Sequence, residues 1–189
     1  QHHPGDAGLM ADPDADVGLL LAGAGRLVRR IKLEGNALGM TLDASGTRLY
    51  VAEDNADQVA VIDTARNEVV ATIDARGPAQ LFSAGDGEHE GDDDRHEGDR
   101  RHEGDRRHEG RRPRYTGAAT FAVTLTPDGR TLYAVNAGAN SIAVIPLHGE
   151  RAHRVAGLIP TAYEPHDVTF SADGRFMYVV NGKSPTGPN

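Results

Sequence analysis

The sequence predicts an all-β chain: a partial β-propeller of about three four-stranded antiparallel blades, interrupted by one long charged insertion. Three observations predict it. Segments 41–52, 124–136 and 169–181 align with one another, and each reads as strand, turn, strand. The alignment points lie about 40–45 residues apart once the insertion is set aside, which is the length of a four-stranded blade. Apolar residues alternate along these segments, and no stretch sustains the i, i+3, i+4, i+7 pattern of a helix.

In chain order, residues 1–16 form a polar N-terminal segment with no basic region of the kind that begins a signal peptide. The apolar run 17–24 follows four aspartates and is too short to span a membrane. Residues 18–22 and 27–33 read as the last two strands of one unit, within a first blade region over 17–78. A whole unit follows, with strands near 41, at 48–52, at 58–63 and at 68–73. The second blade region, 117–182, holds another whole unit, with its third strand at 141–146 and its fourth at 154–159. It ends in half a unit. Residues 183–189 form a truncated Gly/Pro-rich tail. In the turns, Asp128-Gly129 and Asp173-Gly174 are strong hairpin signals, because glycine takes φ > 0 without steric cost. An arc of about three blades leaves apolar faces exposed at both ends. Those faces call for missing blades, a partner or self-association.

The insertion, 79–116, lengthens the Tyr50 to Tyr133 spacing beyond the Tyr133 to Tyr178 spacing. Its central 30 residues, 85–114, contain 11 acids, 8 Arg, 6 Gly, 4 His and 1 Pro, and no apolar side chain. That composition cannot build a core and predicts a disordered loop. It dilutes the hydrophobic share of the whole chain to 38% and carries −3 of the net charge of −8. The acidic balance argues against nucleic-acid binding. The absence of Cys removes disulfides, thiolate metal sites and thiol nucleophiles.

At the aligned segments the chain resembles the YVTN-type β-propeller repeat family. The family strand stands here as Tyr50-Val51-Ala52-Glu53, Tyr133-Ala134-Val135-Asn136 and Tyr178-Val179-Val180-Asn181. Residues 157–161 and 179–189 look like the propeller half of bacterial proteins that join such a propeller to an alkaline-phosphatase-like phosphoesterase domain. The resemblance implies an exported, periplasmic or extracellular protein. In that group the catalytic residues lie beyond the propeller, so none carries over to a position here.

Candidate chemistry is sparse. His96, His102 and His108 recur with period six beside carboxylates and are weak metal-ligand candidates, but six glycines leave nothing to hold them in place. His166 and Asp167 open an inferred innermost strand and are candidate channel-facing residues, where an imidazole can serve as acid, base or ligand. Leu38 and Phe121 occupy the positions matching His166. Asn136 and Asn181 read as turn-satisfying residues, and the three tyrosines as blade packing. Lys183 before Ser184 lacks the Gly-x-x-x-x-Gly of a phosphate loop, and Gly23-Ala24-Gly25 precedes no helix. No catalytic residue and no cofactor emerge. The sequence reading is a non-catalytic scaffold or binding module for an unknown protein or small-molecule ligand. Its alternatives are the propeller portion of a phosphoesterase and, second, a propeller lactonase-like hydrolase.

Overall fold

The computed structural model describes residues 15–21, 25–78 and 117–183. Twelve strands occur among them, numbered in chain order: β1 (Asp16–Leu21), β2 (Arg26–Lys32), β3 (Ala37–Leu42), β4 (Arg48–Glu53), β5 (Gln58–Asp63), β6 (Glu68–Asp74), β7 (Thr120–Leu125), β8 (Thr131–Asn136), β9 (Ser141–Pro146), β10 (Gly157–Pro160), β11 (Pro165–Phe170) and β12 (Met177–Asn181). They form two four-stranded antiparallel sheets, β3-β4-β5-β6 and β7-β8-β9-β10, flanked by the hairpins β1-β2 and β11-β12. The described residues therefore form a partial β-propeller of half a blade, two whole blades and half a blade. The only helical element among the described residues is a 3₁₀ turn, Ala137–Ala139.

Successive side chains of a strand point to opposite faces, and both faces of β4 and β5 are apolar. Tyr50, Ala52, Val59 and Val61 pack forward with Val123, Leu132, Ala134, Ala143 and Ile145 of the next blade. Val51, Ala60 and Ile62 pack backward with Ile31 and Val17 of the β1-β2 hairpin. A third cluster joins Ala122, Val135 and Ile142 to Val168 of the last half-blade. The continuous apolar runs in β5 and β9 are thus the mark of strands covered on both sides.

The turns between first and second strands repeat. Gly46, Gly129 and Gly174 stand at φ +68°, +67° and +69°. Each amide donates to the carbonyl three residues back, at 2.8–2.9 Å. Asp128 and Asp173 cap these turns through the hydroxyls of Thr126 and Ser171. Those hydrogen bonds, followed by the backbone amides of Arg130 and Arg175, hold both carboxyls below the usual carboxylate range.

Side chains also tie blade to blade. Asp57, buried at φ +53°, accepts the amides of Gly117 and Ala119, each at 2.8 Å. Asn140 holds the matching place one blade on, at φ +47°, and accepts the amide of Glu164 at 2.7 Å. Asn136 donates to the carbonyl of Ala75 at 2.8 Å and accepts from Thr120 Oγ1 at 3.0 Å. One strand departs from the sequence reading. The fourth strand of the second whole blade starts at Gly157 rather than at residue 154, because His153 stands at φ +62° and its amide donates back to Pro146.

Candidate functional site

The innermost strands β3, β7 and β11 each begin with a register shift, at Ala37/Met40, Thr120/Ala122 and Pro165/Asp167. A bulge of this kind leaves one extra residue unpaired and re-aims its side chain. The extra residues of β7 and β11 are Phe121 and His166, and Leu38 lies within the matching bulge of β3. The His166 ring stacks on Phe121 with centroids 4.8 Å apart and planes 15° from parallel. Gly182 gives the imidazole its seat, since a Cβ there would come within 2.7 Å of His166 Cε1.

Charge collects around His166. Glu164, at φ +55°, puts Oε2 2.7 Å from Lys183 Nζ and Oε1 3.8 Å from His166 Nε2. The hydrogen bond from Lys183, reinforced by the positive charge beside it, holds the Glu164 carboxyl below its ordinary range. The result is a carboxylate flanked by an ammonium group and an imidazole on a half-exposed surface, with an aromatic ring on the other side of the imidazole. Asp167 does not join the group; its Oδ1 accepts the amide of Val168 at 2.8 Å. Glu164 and Lys183 stand 19 residues apart, and only the β11-β12 pairing brings them together. The sequence reading singled out neither of them as a partner of His166. His96, His102 and His108 lie outside the described residues. Among the described residues no group of three or more His, Asp or Glu is placed to hold a metal ion.

A second buried acid also escaped the sequence reading. Glu53 ends β4, where the other units have Asn136 and Asn181, and is 1% exposed. Its Oε2 accepts the amides of Gly35 at 2.5 Å and Gln58 Nε2 at 3.2 Å. Desolvation dominates, and the Glu53 carboxyl is pushed above its ordinary value.

A family model described as "Lactonase, 7-bladed beta-propeller" matches residues 104–186, which include Phe121, Glu164, His166 and Lys183. The β-propeller assignment stands on this match as well as on the fold. The match also overturns the sequence reading of a non-catalytic scaffold, because the family it points to is one of enzymes. Curated proteins yield no match to the sequence. Three solved structures are similar in fold. Hydrazine synthase of Kuenenia stuttgartiensis aligns with a TM-score of 0.60 at 18% identity, over 88% of this chain and 36% of its own. A candidate 6-phosphogluconolactonase of Bacteroides fragilis aligns with a TM-score of 0.54 at 14% identity, over 82% of this chain and 33% of its own. A periplasmic gluconolactonase of Pseudomonas aeruginosa aligns with a TM-score of 0.51 at 20% identity, over 82% of this chain and 39% of its own. The chain thus spans well under half the length of each of these structures. Among the described residues no helix is long and apolar enough to cross a membrane.

Proposed function

We propose that the chain is the site-bearing part of a propeller hydrolase that opens sugar-acid lactones, with Glu164, His166 and Lys183 as its reacting group. The observation that carries this reading is the lactonase family match over 104–186, the segment that holds all three residues. The two lactonase-named structures agree with it in fold. Fold alone decides no chemistry, as the hydrazine synthase likeness illustrates.

A lactone needs a water activated beside its carbonyl and a donor for the developing oxyanion. In this reading His166 removes a proton from water as the water oxygen bonds to the carbonyl carbon. The ring C–O bond then breaks, and the leaving oxygen takes the proton back from the imidazolium. Lys183 stabilises the oxyanion and then the carboxylate product. Glu164 orients Lys183 and offsets the imidazolium charge. Phe121 covers one face of the imidazole and offers an apolar wall to the sugar ring. The YVTN-type character of the repeat is part of the same reading, carried by the motifs beginning at Tyr50, Tyr133 and Tyr178. A periplasmic or extracellular location fits both that resemblance and the periplasmic gluconolactonase likeness. Neither the family match nor the three solved structures reported above are described as phosphoesterases.

The test is hydrolysis of glucono-1,5-lactone by the 189-residue chain, followed by pH-stat above the spontaneous rate. We expect catalysis that falls by about 10²–10⁴-fold in His166→Ala and also falls in Lys183→Ala. A wild-type rate at the spontaneous background, or one that His166→Ala leaves unchanged, overturns the assignment.

A further inference from the structure

We propose that Asn140 is a positioning residue of the site: from the preceding blade, its carboxamide holds Glu164 in the left-handed backbone conformation that sets the Glu164 carboxylate between Lys183 and His166. Its role in turnover rests on the lactonase reading; its hold on Glu164 does not. The geometry is written twice in the molecule, once with the charges and once without. Glu164 is the residue before β11, and Ala119 is the residue before β7. They stand at φ +55° and +50°. Each carbonyl accepts the first amide beyond the second strand: Gly182 donates to Glu164 at 2.7 Å, and Ala137 to Ala119 at 3.0 Å. The next pair matches too, Lys183 donating to Tyr163 at 3.2 Å and Gly138 to Ala118 at 3.0 Å. The amides of Glu164 and Ala119 are each held by a side chain at the entrance to the preceding blade's third strand, Asn140 before β9 and Asp57 before β5. So the last half-blade carries Glu164 and Lys183 on a mount that the second whole blade fills with Ala119 and Gly138. In that blade a lysine has no room, since a Cβ on Gly138 would run into the carbonyl oxygen of Gly117.

The mount matters more under Glu164 than under Ala119, because only Glu164 must aim a charge. A residue other than glycine near φ +55° is held in a sparsely populated conformation, which persists only where its surroundings over-determine it. Glu164 has three holds: its amide on Asn140, its carbonyl on Gly182 and its carboxylate on Lys183. The turn leading to it is tied to the same asparagine, because Thr161 donates its amide to the Asn140 carbonyl at 2.9 Å. Releasing the Glu164 amide frees the backbone to leave the left-handed region, and the carboxylate moves with it. The clamp's chemistry also follows its client. Asp57 brings a carboxylate to Gly117 and Ala119, neither of which carries a charge. At position 140 the same charge would lie against the residue that bears the Glu164 carboxylate. Asparagine supplies an equivalent acceptor without charge, and it tolerates φ +47°.

NMR of the 189-residue chain can follow the Glu164 carboxyl, identified by its loss in Glu164→Gln, and the exchange of the Glu164 amide. Asn140→Gly removes the acceptor and keeps the left-handed backbone free of steric cost. It should speed exchange of the Glu164 amide by about tenfold. It should also raise the carboxyl's titration midpoint toward the ordinary 4.5, as the contact with Lys183 is lost. Asn140→Asp keeps the acceptor. Its Glu164 amide should stay protected, while the added like charge raises the midpoint, more at low salt than at high. A folded Asn140→Gly chain with the wild-type midpoint overturns the proposal and leaves Asn140 a tie between blades. Should Asn140→Gly not fold, Asn140→Asp decides: an unprotected Glu164 amide or an unmoved midpoint overturns the proposal. Neither measurement uses a substrate. An inactive wild-type chain therefore sinks the lactonase reading alone, and an unmoved midpoint sinks this proposal alone.

Discussion

Tyr50 and Tyr178 hold the same place in their units, yet Tyr50 is 6% exposed and Tyr178 57%. Their partners across the blade boundary differ in the same way: Val123 is 5% exposed, and Met40, its counterpart on β3, is 60%. One boundary is closed and the other open, although the repeat writes nearly the same residues on both. The repeat therefore specifies a packing surface, and only the neighbouring blade turns that surface into stability. A propeller unit contributes little by itself and much in the company of its neighbours.

The largest effect should come from breaking the comparison at the two tyrosines. Tyr50→Ala removes a buried aromatic ring and should cost about 3–5 kcal/mol. Tyr178→Ala, at a concentration that keeps the chain monomeric, should stay within about 0.5 kcal/mol. Equilibrium urea denaturation checks both. Equal costs at the two sites at low concentration would show that the open face is covered within one chain.

The difference also explains what was legible in the sequence. Strands β5 and β9 could be placed to the residue, because each is an unbroken apolar run between turn residues. The last half-unit was legible from the repeat instead, because Asp173-Gly174 and Tyr178 align with Asp128-Gly129 and Tyr133. Less legible was anything that depends on one strand meeting another. The bulges that re-aim Phe121 and His166 leave no mark in composition. Glu164 and Lys183 are ordinary surface residues until β11 and β12 pair. Asp57 looks like any turn aspartate until the Gly117 and Ala119 amides reach it across the blade boundary. Glu53 did leave a signal, a glutamate where the repeat otherwise has asparagine. Its weight is visible only with its burial. Residues 79–116, including the period-six histidines, lie outside the described residues.

A medium effect should come from that glutamate. Asn136 satisfies its position without charge, whereas Glu53 brings a carboxyl into a buried site next to Glu34 and Gln58. Burial raises the folded-state value above the ordinary 4.5, so the folded chain holds this proton more tightly than the unfolded one. The stability Glu53 contributes is then fully present below its unfolded value and is lost as the pH rises through the raised folded value. Glu53→Gln, which keeps an acceptor for the Gly35 amide, should therefore stabilise the chain at pH 7–8. The gain should shrink toward pH 4. Urea midpoints for both proteins across that range check the sign. A variant less stable than wild type at pH 8 would mean that the ionised carboxylate is worth more than its desolvation.

The smallest effect should be indifferent to whether a boundary is open or closed. Gly46, Gly129 and Gly174 adopt nearly the same positive φ, and nothing lies within 4 Å of a Cβ at Gly46 or Gly129. At Gly174 the nearest atom is Pro127 Cγ at 3.7 Å, an ordinary contact. Alanine at each site should thus meet only the backbone cost of a left-handed residue, about 1 kcal/mol. The three losses should agree within about 0.5 kcal/mol if the hairpins unfold together with the blades. Gly174 sits in the half-blade, and there the measurement becomes a probe of cooperativity. A global unfolding transition registers a local cost only when the hairpin melts within it. A loss at Gly174 well below that at Gly129 would show β11-β12 fraying before the rest.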